Sequence, residues 1–218
     1  MKCTKEMLLQ LKQYFPFDTR DLVALKTLRV SGMRFEIEAW YVGNLGHVSV
    51  MTATGFFGLM KMDTLIIQPT QVDMPLLSYD RVHAMGNDTM IFELYDTFLN
   101  SQPLPAIATA KAAVAQLPDH DLGSHWYDPI KLDVSVAKKG KKAQSKDFDT
   151  AAQDYLQAYL LMASQAAGAD SCAKREKASV YVEGLLTHGG PSTDVFLKAL
   201  GPEKTADLFH HVLFGTAK

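Results

Sequence analysis

Cysteine is nearly absent from this chain. Cys3 and Cys172 are the only two in 218 residues, too few and too far apart for a Cys-based zinc or iron–sulfur site or a secreted disulfide scaffold. Long apolar runs are missing as well: none approaches the roughly 20 residues a membrane-spanning helix needs, so no membrane partner is expected. There is no phosphate-cradling glycine loop, because Gly184, Gly189 and Gly190 follow a helical pattern where a P-loop or dinucleotide fingerprint requires a strand. A basic surplus is also lacking. The net charge is −2 and the pI about 6.4, which argues against nucleic acid as the partner. The first residues, MKCTKEMLLQLKQYF, form an amphipathic stripe without the apolar core and small-residue cleavage site of a signal peptide, so the cytoplasm is the expected location.

What remains is an ordinary globular composition, 47% hydrophobic and 21% charged, and a length that suits one domain spanning residues 1–218. Residues 22–97 read as strands. In Arg34–Val42 the residues Phe35, Ile37, Ala39 and Tyr41 share one face, while Glu36, Glu38 and Trp40 share the other. His47–Thr54 and Leu59–Gln68 follow after turns too short for helical crossovers, which predicts a mainly antiparallel sheet. A short apolar strand, Met74–Asp80, ends on a carboxylate, and Thr89–Phe98 comes next. From Pro103 helix formers dominate: Leu104–Gln116, a long amphipathic helix capped near Asp147 or Asp149, then Lys174–His188 stopped by Gly189-Gly190-Pro191. Ser192–Leu200 and a last helix opened by Pro202 complete the chain, and Leu132–Ala137 is the candidate final strand. Helices at both ends of an antiparallel sheet predict an α/β fold, a three-layer α/β/α sandwich. Lys138-Lys139-Gly140-Lys141-Lys142 reads as a solvated loop.

A register count singles out Asp80. If Gly86-Asn87 forms a two-residue hairpin loop, Asp80 lies opposite Glu93; if the preceding turn centres on Gln71-Val72, Asp63 also lies opposite Asp80, with Met51 next in line. A one-residue slip would send a flanking group to the other face. Three buried carboxylates in a row cannot all ionise easily, so at least one would hold its proton near neutral pH. The bland alternative is that Asp63 and Glu93 sit at a solvated sheet edge. His210-His211 is an adjacent pair on a helix and makes a poor metal site, so none is expected. His188 reads first as a helix C-terminal residue.

The segment Tyr181–Gly215 resembles the terminal helices of ferredoxin-dependent bilin reductases, especially Val195-Phe196-Leu197-Lys198-Ala199-Leu200-Gly201 and Val212-Leu213-Phe214. Pro75-Leu76-Leu77-Ser78-Tyr79-Asp80 is similar to that family's strand bearing a catalytic aspartate. The resemblance covers about residues 30–215. It implies a fold that holds biliverdin or a related linear tetrapyrrole between sheet and C-terminal helices. Reduction would run through radical intermediates, with electrons from ferredoxin or flavodoxin, protons from side chains and no bound cofactor. Asp80 would be the main proton donor, with Asp63 and Glu93 beside it. Phycocyanobilin-forming members of the family have histidine where this chain has Asp63 and glutamate where it has Met51. Their second aspartate falls at Gly189-Gly190, leaving Asp194 or His188 as replacements, and Lys138 or Lys139 would hold a substrate propionate. The resemblance also leaves open a reductase of chlorophyll breakdown products, or a tetrapyrrole carrier that has lost the chemistry.

Overall fold

Strand alternation settles which residues are buried and on which side. In a computed structural model, residues 2–190 and 192–217 are described, apart from the side chains of Lys2 and Cys3; Pro191, the proposed helix stop, lies outside the described residues. Seven strands form one antiparallel meander: β1 (Leu22–Val30), β2 (Met33–Val42), β3 (Gly46–Gly55), β4 (Met60–Pro69), β5 (Leu76–Ala84), β6 (Asn87–Tyr95) and β7 (Val136–Lys141), in sequential spatial order. The expected face division of β2 holds, with Phe35, Ile37 and Ala39 in one core and Trp40 in the other.

One face is covered by α1 (Lys2–Tyr14), α2 (Pro105–Ala113) and α3 (Ser145–Gln165), which pack on Val48, Leu65, Leu77, Tyr79 and Phe92. The Tyr155 ring of α3 stacks on Phe92 at 4.4 Å between centroids, and its hydroxyl donates to Val134 O at 2.6 Å. The other face carries α4 (Ser171–His188), α5 (Thr193–Leu200), α6 (Pro202–Asp207) and a π-helical turn, Leu208–Leu213. These pack on Ile37, Met51, Ile66, Leu76 and Tyr95. Each fully buried side chain of this size contributes roughly 1.5–3 kcal/mol, so both layers are held mainly by apolar burial. The result is the α/β/α sandwich.

Polar contacts then fix where each helix sits. Asp170 caps α4 by accepting from the Ala173 amide at 2.7 Å. One turn in, the buried Lys174 ammonium donates to Met74 O and Thr97 O, both at 2.6 Å, and lies 3.5 Å from Asp73. Burial lowers its pKa to about 8 against the opposing pull of Asp73. Lys174 thus ties the start of α4 to the loop that leads into β5. At the other end, His47 donates from Nε2 to Val212 O at 2.8 Å and Ser49 donates to Leu213 O at 2.7 Å, so β3 satisfies carbonyls of the π-helical turn. Burial pushes the His47 pKa down, which suits a neutral donor. Gly215 turns away at φ 60°, where a Cβ would fall 2.3 Å from the His47 ring.

Several sequence expectations are corrected. Strand β5 continues to Ala84, so Asp80 stands mid-strand. The lysine run is the edge strand β7, paired through Met90↔Lys138 and Thr89↔Lys139, because β6 offers it a ladder; only its end is loop-like. Helix α3 starts at Ser145 without a side-chain cap, since Asp149 pairs with Arg81 instead.

Candidate active site

The register around Asp80 differs from the sequence count in two instructive ways. The hairpin loop is Met85-Gly86, both at positive φ (50° and 75°), so Asn87 joins the strand opposite Ala84. Moving the loop by one residue shifts the pairing by two: Asp80 faces Ile91, and Glu93 faces Ser78. An even shift preserves the face, so Glu93 stays on Asp80's side, as a diagonal neighbour roughly 7–8 Å away between backbones. The connection before β5 is a loop of residues 70–75. Its Asp73 accepts from the Leu99 and Asn100 amides, each at 2.8 Å. This changes the pairing by one: Thr64 stands opposite Asp80, and Asp63 opposite Arg81. Asp63 is therefore buried on the α3 side and is not a member of the row, the slip that period-2 geometry punishes.

The row on Asp80's face runs Met51, Thr64, Asp80, Ile91. Met51 is where the count placed it. Thr64 Oγ1 donates to Asp80 Oδ1 at 2.5 Å. Part of Asp80 remains open to a cavity of about 80 Å³ between the sheet and the α4–π layer, yet protein atoms crowd its carboxyl. Burial is the largest influence and raises its pKa to about 6; the Thr64 hydrogen bond pulls the other way, and the charge of Glu93 adds to the rise. A carboxylic acid with that pKa holds a useful share of its proton near neutrality and can act as a general acid.

Around Glu93 lies a group the sequence reading did not pick out. The Tyr95 hydroxyl donates to Glu93 Oε2 at 2.6 Å, and Lys131 Nζ stands 3.6 Å from Glu93 Oε1 while bonding Asp128 at 2.7 Å. Tyr95 stacks on Tyr181 of α4 with centroids 4.1 Å apart, and Tyr127 meets Tyr95 edge-on at 5.6 Å. All three tyrosines line the cavity. Burial first, then neighbouring charge, drives the phenols of Tyr95 and Tyr181 well above the ordinary value. Tyr95 was readable as Glu93's same-face neighbour two residues on. Tyr127, Lys131 and Tyr181 arrive from remote segments, and no local pattern announces them.

The remaining candidates fall outside the cavity. Lys138 points to the α2–α3 face, buried, and donates to Leu117 O at 3.0 Å and to Asp119 at 2.6 Å. Lys139, its neighbour, is exposed on Asp80's face. His188 is exposed at the end of α4, 5.6 Å from the Trp126 ring. Asp194 is exposed and packs against Gly189, whose absent Cβ would sit 2.8 Å from its Oδ1. The helical layer instead presents Ser192 and Thr193 to the cavity. Trp126 seals that layer: its indole donates to Gly189 O at 2.9 Å, and its ring fills the notch left by Gly184. His210 bonds Thr216 and Glu183, His211 pairs with Asp207, and among the described residues there is no cluster able to hold a metal ion. No helix among them is long and apolar enough to cross a membrane.

Two layers of helices over an antiparallel seven-stranded sheet is an architecture shared with solved structures. One is phytochromobilin synthase from tomato in complex with biliverdin: the TM-score is 0.75 over 95% of this chain and 80% of that one, at 11% identity. At that identity the likeness is one of fold. No family model and no curated protein matches the sequence.

Proposed function

We propose that this protein is a ferredoxin-dependent bilin reductase that binds biliverdin or a closely related linear tetrapyrrole between the sheet and the α4–π layer. Electrons would come from reduced ferredoxin or flavodoxin, with no cofactor bound to the chain. The observation that carries this reading is Asp80: a carboxyl with a pKa near 6, aimed into the cavity, on the sheet of a fold that also occurs in a biliverdin-bound protein. Asp80 protonates the bilin. A protonated, cationic conjugated system takes up an electron more readily, and the radical so formed accepts the next electron and proton. Thr64 holds the carboxyl in orientation, and burial, with a smaller contribution from Glu93, keeps its pKa high. The exposed Lys139 is the lysine placed to meet a substrate propionate from this face.

A tetrapyrrole needs more room than about 80 Å³, since sites for ligands of drug size run to roughly 300–1,000 Å³. Substrate entry therefore requires the cavity to open further. The test is anaerobic turnover of biliverdin with reduced ferredoxin. Asp80→Asn is expected to retain the bilin absorbance spectrum on binding and to lose turnover by roughly a hundredfold or more; full activity in that variant removes Asp80 from the mechanism. One observation favours a second reading, a tetrapyrrole carrier without chemistry. Met51 places a thioether in the row beside Thr64, where it can neither hold nor pass a proton. A bound bilin spectrum unchanged by reduced ferredoxin would select that alternative.

A further inference from the structure

Reducing one double bond of a conjugated bilin consumes two electrons and two protons. Two one-electron deliveries from the reduced iron–sulfur donor supply the electrons, and two new bonds to hydrogen form on the substrate. Asp80 holds one proton. Once it has given that proton away it is a carboxylate, and its immediate partner, Thr64, is a neutral hydroxyl that already donates to it. The second proton needs another path.

We propose that Lys131, Glu93, Tyr95 and Tyr181 form a proton-conducting chain from the surface into the cavity beside Asp80, supplying the second proton of the reduction proposed above, on which this inference rests. The outer end is Lys131, whose side chain is 24% exposed and stands 3.6 Å from Glu93 Oε1. The middle is the 2.6 Å bond between the Tyr95 hydroxyl and Glu93 Oε2. The inner end is Tyr181, whose ring stacks on that of Tyr95 at 4.1 Å between centroids and lines the same cavity as Asp80. Tyr181 comes from α4, so it stands on the side of the cavity opposite the sheet and can serve a substrate face that Asp80 cannot reach.

Charge conservation sets how such a chain works. Neither buried phenol can rest as a phenolate beside Glu93, so protons move in concert. In the resting arrangement Tyr95 donates to the Glu93 carboxylate. When Glu93 takes a proton from surface water beside Lys131, the carboxyl and the hydroxyls turn: Glu93 donates to Tyr95, Tyr95 to Tyr181, and Tyr181 to the reduced substrate. Each oxygen loses one proton and gains one, and Glu93 returns to a carboxylate. Rotation of the Glu93 carboxyl and of the two hydroxyls allows this reversal without moving the backbone.

The test uses Tyr181→Phe and Glu93→Gln, which keep the stacked rings and the side-chain volume. With biliverdin and reduced ferredoxin, both variants are expected to bind bilin as the parent does. In both, the half-reduced radical, followed by electron paramagnetic resonance, should persist roughly a hundredfold longer than in the parent. Parental radical lifetimes in both variants overturn the chain. A second readout needs no turnover and so separates this inference from the proposed activity. In the substrate-free protein the Tyr95 hydroxyl proton should appear as a resolved downfield NMR resonance that disappears in Glu93→Gln and exchanges more slowly with water in Lys131→Met. If its exchange is indifferent to Lys131, no conducting chain joins Glu93 to the surface, whatever the enzyme does with biliverdin.

Discussion

Asp80 and Arg81 are consecutive residues of β5, and they face opposite layers with opposite designs. Arg81 is wholly buried and paired by charge, with only its Nη1 left without a hydrogen-bond partner. Its Nε and Nη2 donate to Asp88 at 2.5 and 2.8 Å, Nη2 also donates to Ser145 O at 3.1 Å, and Asp149 of α3 lies 3.2 Å away. Asp88 in turn accepts from Ser145 Oγ at 2.6 Å. The Asp80 carboxyl has one close hydroxyl partner, a like charge in the vicinity and a cavity in front of it. Ion-paired buried charge locks one face, and the other leaves a carboxyl with a raised pKa beside a cavity. The comparison teaches that this strand divides its labour by parity: the even residue faces the cavity and the odd one holds the layers together.

Substitutions can break that contrast, and the largest effect on stability is expected from the locked face. Asp88→Ala leaves the Arg81 guanidinium buried without its main partner and should cost about 3–5 kcal/mol of stability in urea unfolding. A loss below about 1 kcal/mol would mean that the ion pair is not the lock it appears in the geometry. Asp80→Asn should do the reverse. The folded-state pKa near 6 lies above the unfolded value of roughly 3.9, so the fold favours the neutral acid. That stability is present below pH 4 and is lost as the pH rises through 6. Relative to the parent, Asp80→Asn should therefore gain stability with rising pH, by up to about 2–3 kcal/mol at pH 8. A pH-independent difference would show that the carboxyl is not destabilised by burial.

Smaller effects sharpen the comparison. Gly184→Ala places a Cβ within 2.1–2.8 Å of the Trp126 ring. Overpacking of this kind costs roughly 1–3 kcal/mol, and Trp126 fluorescence should report the displaced indole. Thr64→Val removes the one hydrogen bond that opposes the rise in the Asp80 pKa. The alkaline limb of turnover, where Asp80 loses its proton, should then move to higher pH by less than about one unit, as the loss of a single hydrogen bond of about 1 kcal/mol implies. An unmoved or acid-shifted profile would mean that Thr64 does not hold the ionised carboxyl.

What the sequence determined by itself was periodicity and punctuation. Alternation in Arg34–Val42, short turns and helix stops at Gly189 and Gly201 sufficed for an antiparallel sheet between helical layers, and the stretch Pro75–Asp80 carried the pointer to Asp80. Glu93 was placed on the correct face because an error of two in register leaves parity unchanged, and Met51 because one-residue errors on the two sides of β4 cancel. Asp63 was not, because a strand's side chains swap faces with every single-residue shift. Which shift occurs was decided far from the strand, by Asp73 receiving amides from residues 99 and 100 and by Lys174 binding the same loop. Tyr127, Lys131 and Tyr181 around Glu93 were likewise decided only in three dimensions. Their segments lie about 30 to 90 residues from Glu93 in the chain, and tertiary packing, rather than any local spacing, brings them beside it.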